Sequence, residues 1–155
     1  GELLVAGPSA AAGYWNRQAQ TIRTFVGPWT RTGDQYVVDK DNYYHYCGRG
    51  DDMLKVGGIW VSPFEVESVL LRHPLVGECA VVGQADDGGL IKPKAFVVLT
   101  DPGQACAAVA DQLKSFACEQ LAAYKHPRWV EFLDELPKTA TGKVRRFKLR
   151  AGASG

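Results

Sequence analysis

The sequence has no apolar run approaching the roughly 20 residues that a helix needs to cross a bilayer, so no segment reads as a membrane span. It has no Cys-x-x-Cys pair, and none of Cys47, Cys79, Cys106 and Cys118 has a histidine at metal-ligand spacing. Structural zinc is therefore not expected, and a chain of 155 residues with 46% apolar content needs no disulfide staples. The cysteines read as reduced, structural thiols of a soluble, cytoplasmic protein. Histidine is scarce: only His45, His73 and His126 are present, and no Ser-His-Asp or Cys-His arrangement can be argued from them. His73 and His126 each precede a proline and are expected in loops. The glycine-and-lysine phosphate loop of nucleotide hydrolases is missing. Residues 1–6 lack a basic leader, so no signal peptide is expected. What is present argues against disorder: six Phe, six Tyr and four Trp accompany a net charge of only +1.

That small net charge hides an asymmetry. All 17 acids lie between Glu2 and Glu135, whereas Lys138, Lys143, Arg145, Arg146, Lys148 and Arg150 follow them. A basic tail on an acidic body can clasp that body, meet an anion, or simply be solvated. Nucleic acid is the weaker choice of anion, because Phe147 is the tail's lone aromatic and no stacking series is available.

Residues 1–34 are rich in Gly, Ala and Thr and suggest short strands and loops that cannot form a core alone. Gln35 to Tyr46 reads as a hairpin turning at 39–42, and residues 53–61 as a second hairpin turning at Gly57-Gly58, a pair that tolerates positive φ. Ser62-Pro63-Phe64-Glu65 is a helix start: Ser62 can cap, Pro63 suits the first position and Glu65 can complete a capping box. Val66, Val69 and Leu70 follow at helical spacing, and Pro74 ends the element. Residues 78–83 and 94–100 read as strands about a turn at 86–89. Residues 104–124 form an amphipathic helix with Val109, Leu113, Phe116 and Leu121 on one stripe, and 128–133 a last strand before an exposed turn and the basic tail. From residue 53 the order is ββαββαβ, an α+β domain with a small mixed sheet and its own core.

Taken singly, the candidate sites are weak. Arg31-Thr32-Gly33-Asp34 can be a plain turn, 48–52 a flexible connector, and 137–143 a loop with solvated lysines. Taken in order, they resemble one family. Gly1-Glu2-Leu3 through Gly7-Pro8, Gly13-Tyr14-Trp15-Asn16 and Arg31-Thr32-Gly33-Asp34 resemble the approach to the domain junction of adenylate-forming, AMP-forming acyl-CoA synthetases. Residues 48–58, with Pro63-Phe64-Glu65-Val66-Glu67, resemble that family's hinge motif, and Pro137-Lys138-Thr139 through Gly142-Lys143 its C-terminal lysine motif. The wording of 55–63 and of 7–15 is most similar to benzoate–CoA ligases.

The resemblance implies that the chain is a C-terminal part: residues 1–50 the end of a large domain, with short β strands, and residues 51–155 a small mobile lid. The missing N-terminal domain, which carries the phosphate loop and most of the acid pocket, would be its partner, and the chain alone is expected to be inactive. The implied reaction joins benzoate or a related aryl acid to coenzyme A through an acyl-adenylate, as in aromatic acid degradation, with Mg-ATP, AMP and coenzyme A as small-molecule substrates. Lys143 would bridge the attacking carboxylate and the α-phosphate. Asp34 matches a ribose-binding aspartate and Arg49 an arginine near ribose and phosphate. Asp51 aligns with the hinge residue, which Gly50 would ease. Lys55 matches a lysine of the thioester step, in which Gly57 and Gly58 would let the pantetheine arm pass close to the backbone. A tight turn explains the same glycines, and both readings can hold. No protein-bound metal, nucleic acid or membrane is implied. Another carboxylic acid, a carrier-protein thiol as acceptor, or a non-enzymatic basic-tailed binding module stand as alternatives. Oligomeric state is left open, a homodimer included.

Overall fold

The computed structural model describes residues 1–152 and divides into two compact units, Gly1–Asp51 and Asp52–Gly155. In the first unit, β1 (Glu2–Val5), β2 (Phe25–Val26) and β4 (Tyr44–Arg49) all pair antiparallel with the long central β3 (Trp29–Val38). The β3–β4 turn forms as its residues suggest: the Asp39 carboxylate accepts the N–H groups of Asp41 and Tyr43, each at 2.9 Å, and Asn42 takes φ 64°. A short helix, α1 (Gln18–Thr24), lies where only strands and loops were expected. None of its residues is buried, so it carries no apolar stripe by which the sequence could announce it. Among the described residues every buried apolar side chain lies at Leu54 or beyond, in keeping with a first segment that forms no core of its own.

The second unit has its own core and follows the expected order. The hairpin of β5 (Leu54–Val56) and β6 (Ile59–Val61) closes through Gly57 and Gly58 at φ +56° and +87°, the two-residue turn that needs both positions left-handed. Helix α2 (Pro63–Leu70) is capped by Ser62, whose side chain accepts the Glu65 N–H at 3.3 Å. Strands β7 (Val76–Ala85) and β8 (Ile91–Leu99) are antiparallel, and β9 (Trp129–Phe132) joins β8 in parallel, giving a mixed three-stranded sheet. Between them α3 (Ala107–Gln120) is shorter than the 104–124 expected. Separate 3-10 turns occupy 102–104 and 123–125, and Leu121, with extended backbone, stays on the apolar stripe from outside the helix.

Both faces of this sheet are covered. Cys79, Val81, Ala95 and Val97 meet Val66 and Leu70 of α2 and Leu113 and Ala117 of α3. On the opposite face Ala80, Val82 and Phe96 meet Leu136 and Leu149. Two-sided burial explains why 79–82 and 95–99 read as continuous apolar runs and not as alternation. Leu149 belongs to α4 (Arg146–Gly152), so the basic tail contains a helix, which was not expected, and that helix closes the second face. No helix among the described residues is long and apolar enough to cross a membrane.

Candidate functional site

The lysine motif builds a tight turn. Gly142 takes φ +80° and donates its N–H to the Thr139 carbonyl at 2.9 Å; the Thr139 N–H donates to the Lys143 carbonyl at 2.8 Å. The Thr139 hydroxyl accepts the Lys143 N–H at 3.0 Å and contacts the Thr141 hydroxyl at 2.9 Å. Lys138 bridges to Val144 through its backbone and reaches Glu78 with its ammonium, while the Arg145 N–H donates to the Pro137 carbonyl at 2.7 Å. The base of the turn is thus fixed, and the Lys143 side chain stands exposed at its rim, in no ion pair among the described residues.

Helix α4 anchors the far end of that turn. Arg146 donates to both oxygens of Glu67 at 2.8 Å and to Asp52 at 3.4 Å; Arg150 pairs with Asp52 at 2.5 Å. Of the readings open for the basic tail, these two residues clasp the acidic body. Residue spacing could not assign the partners, which stand 79 to 98 positions away.

In the first unit Asp34 and Arg49 occupy facing positions of β3 and β4, with a loose 3.8 Å ion pair that leaves both groups able to meet a ligand. Gly33 makes the arrangement: at φ +78° it donates its N–H to Glu2, and a Cβ there would lie 2.8 Å from the Arg49 guanidinium. The Glu2 carboxylate also takes the Arg31 guanidinium, which holds its pKa below the ordinary 4.5. Asp51, exposed, lies in a 3-10 turn over Gly50–Asp52 at the boundary between the units. Gly50 is not in the left-handed region; its want of a Cβ leaves room for the Gln35 amide, which a Cβ would meet at 3.2 Å.

Lys55 faces Trp60 across the β5–β6 hairpin, its ammonium 5.8 Å from the ring centre. No atom lies within 4 Å of where a Cβ would sit on Gly57 or Gly58, so the turn's dihedrals and not crowding within the chain demand glycine. Gly57 also borders a groove of about 830 Å³ whose wall includes Lys92, Lys114, Cys118, His126 and Arg128. No site role attaches to any of these five in the sequence: Cys118 reads as a structural thiol, His126 as a loop residue, and the three cations carry no motif. All four cysteines are free, and Cys79 is buried, but Cys106 and Cys118 are exposed and are not packing groups. His73, in the loop after α2 as expected, is buried with its ring edge-on to Phe116. Among the described residues no three His, Cys, Asp or Glu side chains converge as metal ligands.

The model of the AMP-binding enzyme C-terminal domain matches residues 65–143. The benzoate–CoA ligase of Thauera aromatica is 57% identical over 151 residues, covering 97% of this chain and 29% of its own length. The 4-hydroxybenzoate–CoA/benzoate–CoA ligase of Rhodopseudomonas palustris is 53% identical, covering 97% of this chain and 28% of its own length. A crystal structure of an anthranilate CoA ligase with anthranoyl-AMP superposes with a TM-score of 0.95 at 54% identity, over 99% of this chain and 30% of that one. The chain spans under a third of the length of these relatives. It belongs to the AMP-binding enzyme C-terminal domain family.

Proposed function

We propose that this chain is the C-terminal part of an AMP-forming ligase that joins benzoate, or a closely related aryl acid, to coenzyme A. Residues 1–50 would end the large domain and residues 51–155 form the mobile lid. The observation that carries the reading is the exposed Lys143, set on a turn whose base is closed by hydrogen bonds of Thr139 with Gly142 and Lys143 and of Pro137 with Arg145.

In the first step a carboxylate oxygen attacks the α-phosphorus of ATP, the bond to the bridging oxygen breaks, and pyrophosphate leaves. Two anions must approach, and the work required of the protein is to neutralise and position them. The Lys143 ammonium is a compact point charge that can lie between carboxylate and α-phosphate, whereas a planar guanidinium is bulkier. Asp34 would accept hydrogen bonds from the ribose hydroxyls, and Arg49, already seated over Gly33, would contact ribose or phosphate. In the second step the thiol sulfur attacks the acyl carbon and AMP leaves. The Gly57-Gly58 turn, open above its backbone, would let the pantetheine arm pass, with Lys55 beside it. A backbone rotation at Asp51 would exchange the two arrangements. Magnesium travels with ATP; the described residues offer no ligand cluster for it. A cytoplasmic setting, where ATP and coenzyme A are available, goes with this chemistry.

The test is product analysis with the chain joined to its N-terminal domain, supplied with ATP, coenzyme A and benzoate. Equal amounts of AMP, pyrophosphate and benzoyl thioester are expected; release of ADP, or no thioester from any aryl acid, overturns the reading.

A further inference from the structure

Cys118 stands on the exposed side of α3, and its Sγ lies 3.2 Å from Nδ1 of His126. The other ring nitrogen, Nε2, is 2.9 Å from the carbonyl oxygen of Leu121. A carbonyl only accepts, so Nε2 carries the ring proton and Nδ1 presents its lone pair to the thiol. Thiol, base, and a third group that fixes the base's tautomer are the parts of an activated nucleophile. Both side chains line the groove whose wall also holds Lys92, Arg128 and Lys114, the last paired with Asp111 at 3.1 Å, against Asp86 as its acid. A wall of that charge raises the local concentration of anions beside the sulfur.

We propose that Cys118 is a site of thiol–disulfide exchange that takes small anionic disulfides. His126 removes the thiol proton, and the Cys118 sulfur attacks one sulfur of the incoming disulfide. That S–S bond breaks as a new one forms to Cys118, and the departing thiolate takes the proton back from the imidazolium. The Cys118 thiol and one disulfide are consumed, and a mixed disulfide on Cys118 and one free thiol are formed, so no outside oxidant is needed. The adduct fills the groove beside Gly57. Cys106 is a comparison within the same molecule: it is also exposed and immediately precedes α3, but its side chain makes no hydrogen bond to histidine among the described residues.

The test is peptide mapping by mass spectrometry after brief exposure of the whole chain to dithiobis(nitrobenzoate), an anionic disulfide. Cys118 is expected to be labelled before Cys106, and His126→Gln, which can still reach the Leu121 carbonyl, to slow Cys118 by roughly tenfold with the Cys106 rate unchanged. Equal labelling of Cys118 in wild type and His126→Gln overturns the proposal. Cationic cystamine is expected to label Cys118 more slowly than the anionic probe, and K92Q/R128Q to narrow that gap. A wild-type chain that reacts equally with both probes overturns the selectivity for anions, whatever the folding of the variants.

Discussion

Arg146 places one guanidinium nitrogen 2.8 Å from both carboxylate oxygens of Glu67, across 79 positions of sequence. Glu67 is buried and its carboxylate also accepts the Val81 N–H at 2.7 Å, so a single side chain joins α2, the central sheet and the helix that follows Lys143. Removing the arginine would leave a buried carboxylate with only that backbone donor.

Arg146→Ala should therefore destabilise the second unit by about 3–5 kcal/mol, the usual cost of orphaning one partner of a buried pair. Replacing both partners with apolar residues of similar volume should cost much less. Urea unfolding of the single and double variants checks this; equal losses would mean that the charge pairing is not what holds α4.

Local signals were the legible part of the fold. Ser62 capping α2, Gly57-Gly58 turning the hairpin and Asp86 closing the 86–89 turn are each satisfied within a few residues, so sequence order contains the whole interaction. What stayed hidden depends on partners brought together only by the fold: Arg146 with Glu67, Arg150 with Asp52, Cys118 with His126. Helix α4 was unreadable for a related reason, since Leu149 is its one buried residue among those described and sets up no periodicity. In the candidate site, ordered motifs point to Asp34, Arg49 and Lys143; the clamp behind Lys143 has no motif of its own.

Gly33 and Arg49 should behave as a unit. Gly33→Ala places a Cβ 2.8 Å from the tip of the Arg49 guanidinium, which must then shift, and strains a left-handed backbone by about 1–2 kcal/mol. In the complete enzyme both Gly33→Ala and Arg49→Ala should raise the KM for ATP in pyrophosphate exchange. The double variant should add little beyond Arg49→Ala, because the two changes remove the same contact. Additive effects would show that Gly33 acts on something other than Arg49.

Acid should loosen the β1–β3 pairing. The Arg31 hydrogen bond holds the Glu2 carboxyl below its ordinary 4.5, so its contribution to stability is present above that pH and lost as pH falls through the lower folded value. Carboxyl carbon NMR should give a Glu2 midpoint below 4.5, restored by Arg31→Ala. An unshifted midpoint in the wild-type chain would contradict the pairing.

The most direct measurement follows each half-reaction separately in the complete enzyme carrying Lys143→Ala. Benzoate-dependent pyrophosphate exchange should fall by about two to three orders of magnitude, the scale seen when a group that stabilises transition-state charge is removed. Thioester formation from supplied benzoyl-AMP and coenzyme A should largely survive. Exchange that continues at the wild-type rate would contradict the assignment of Lys143 to adenylation.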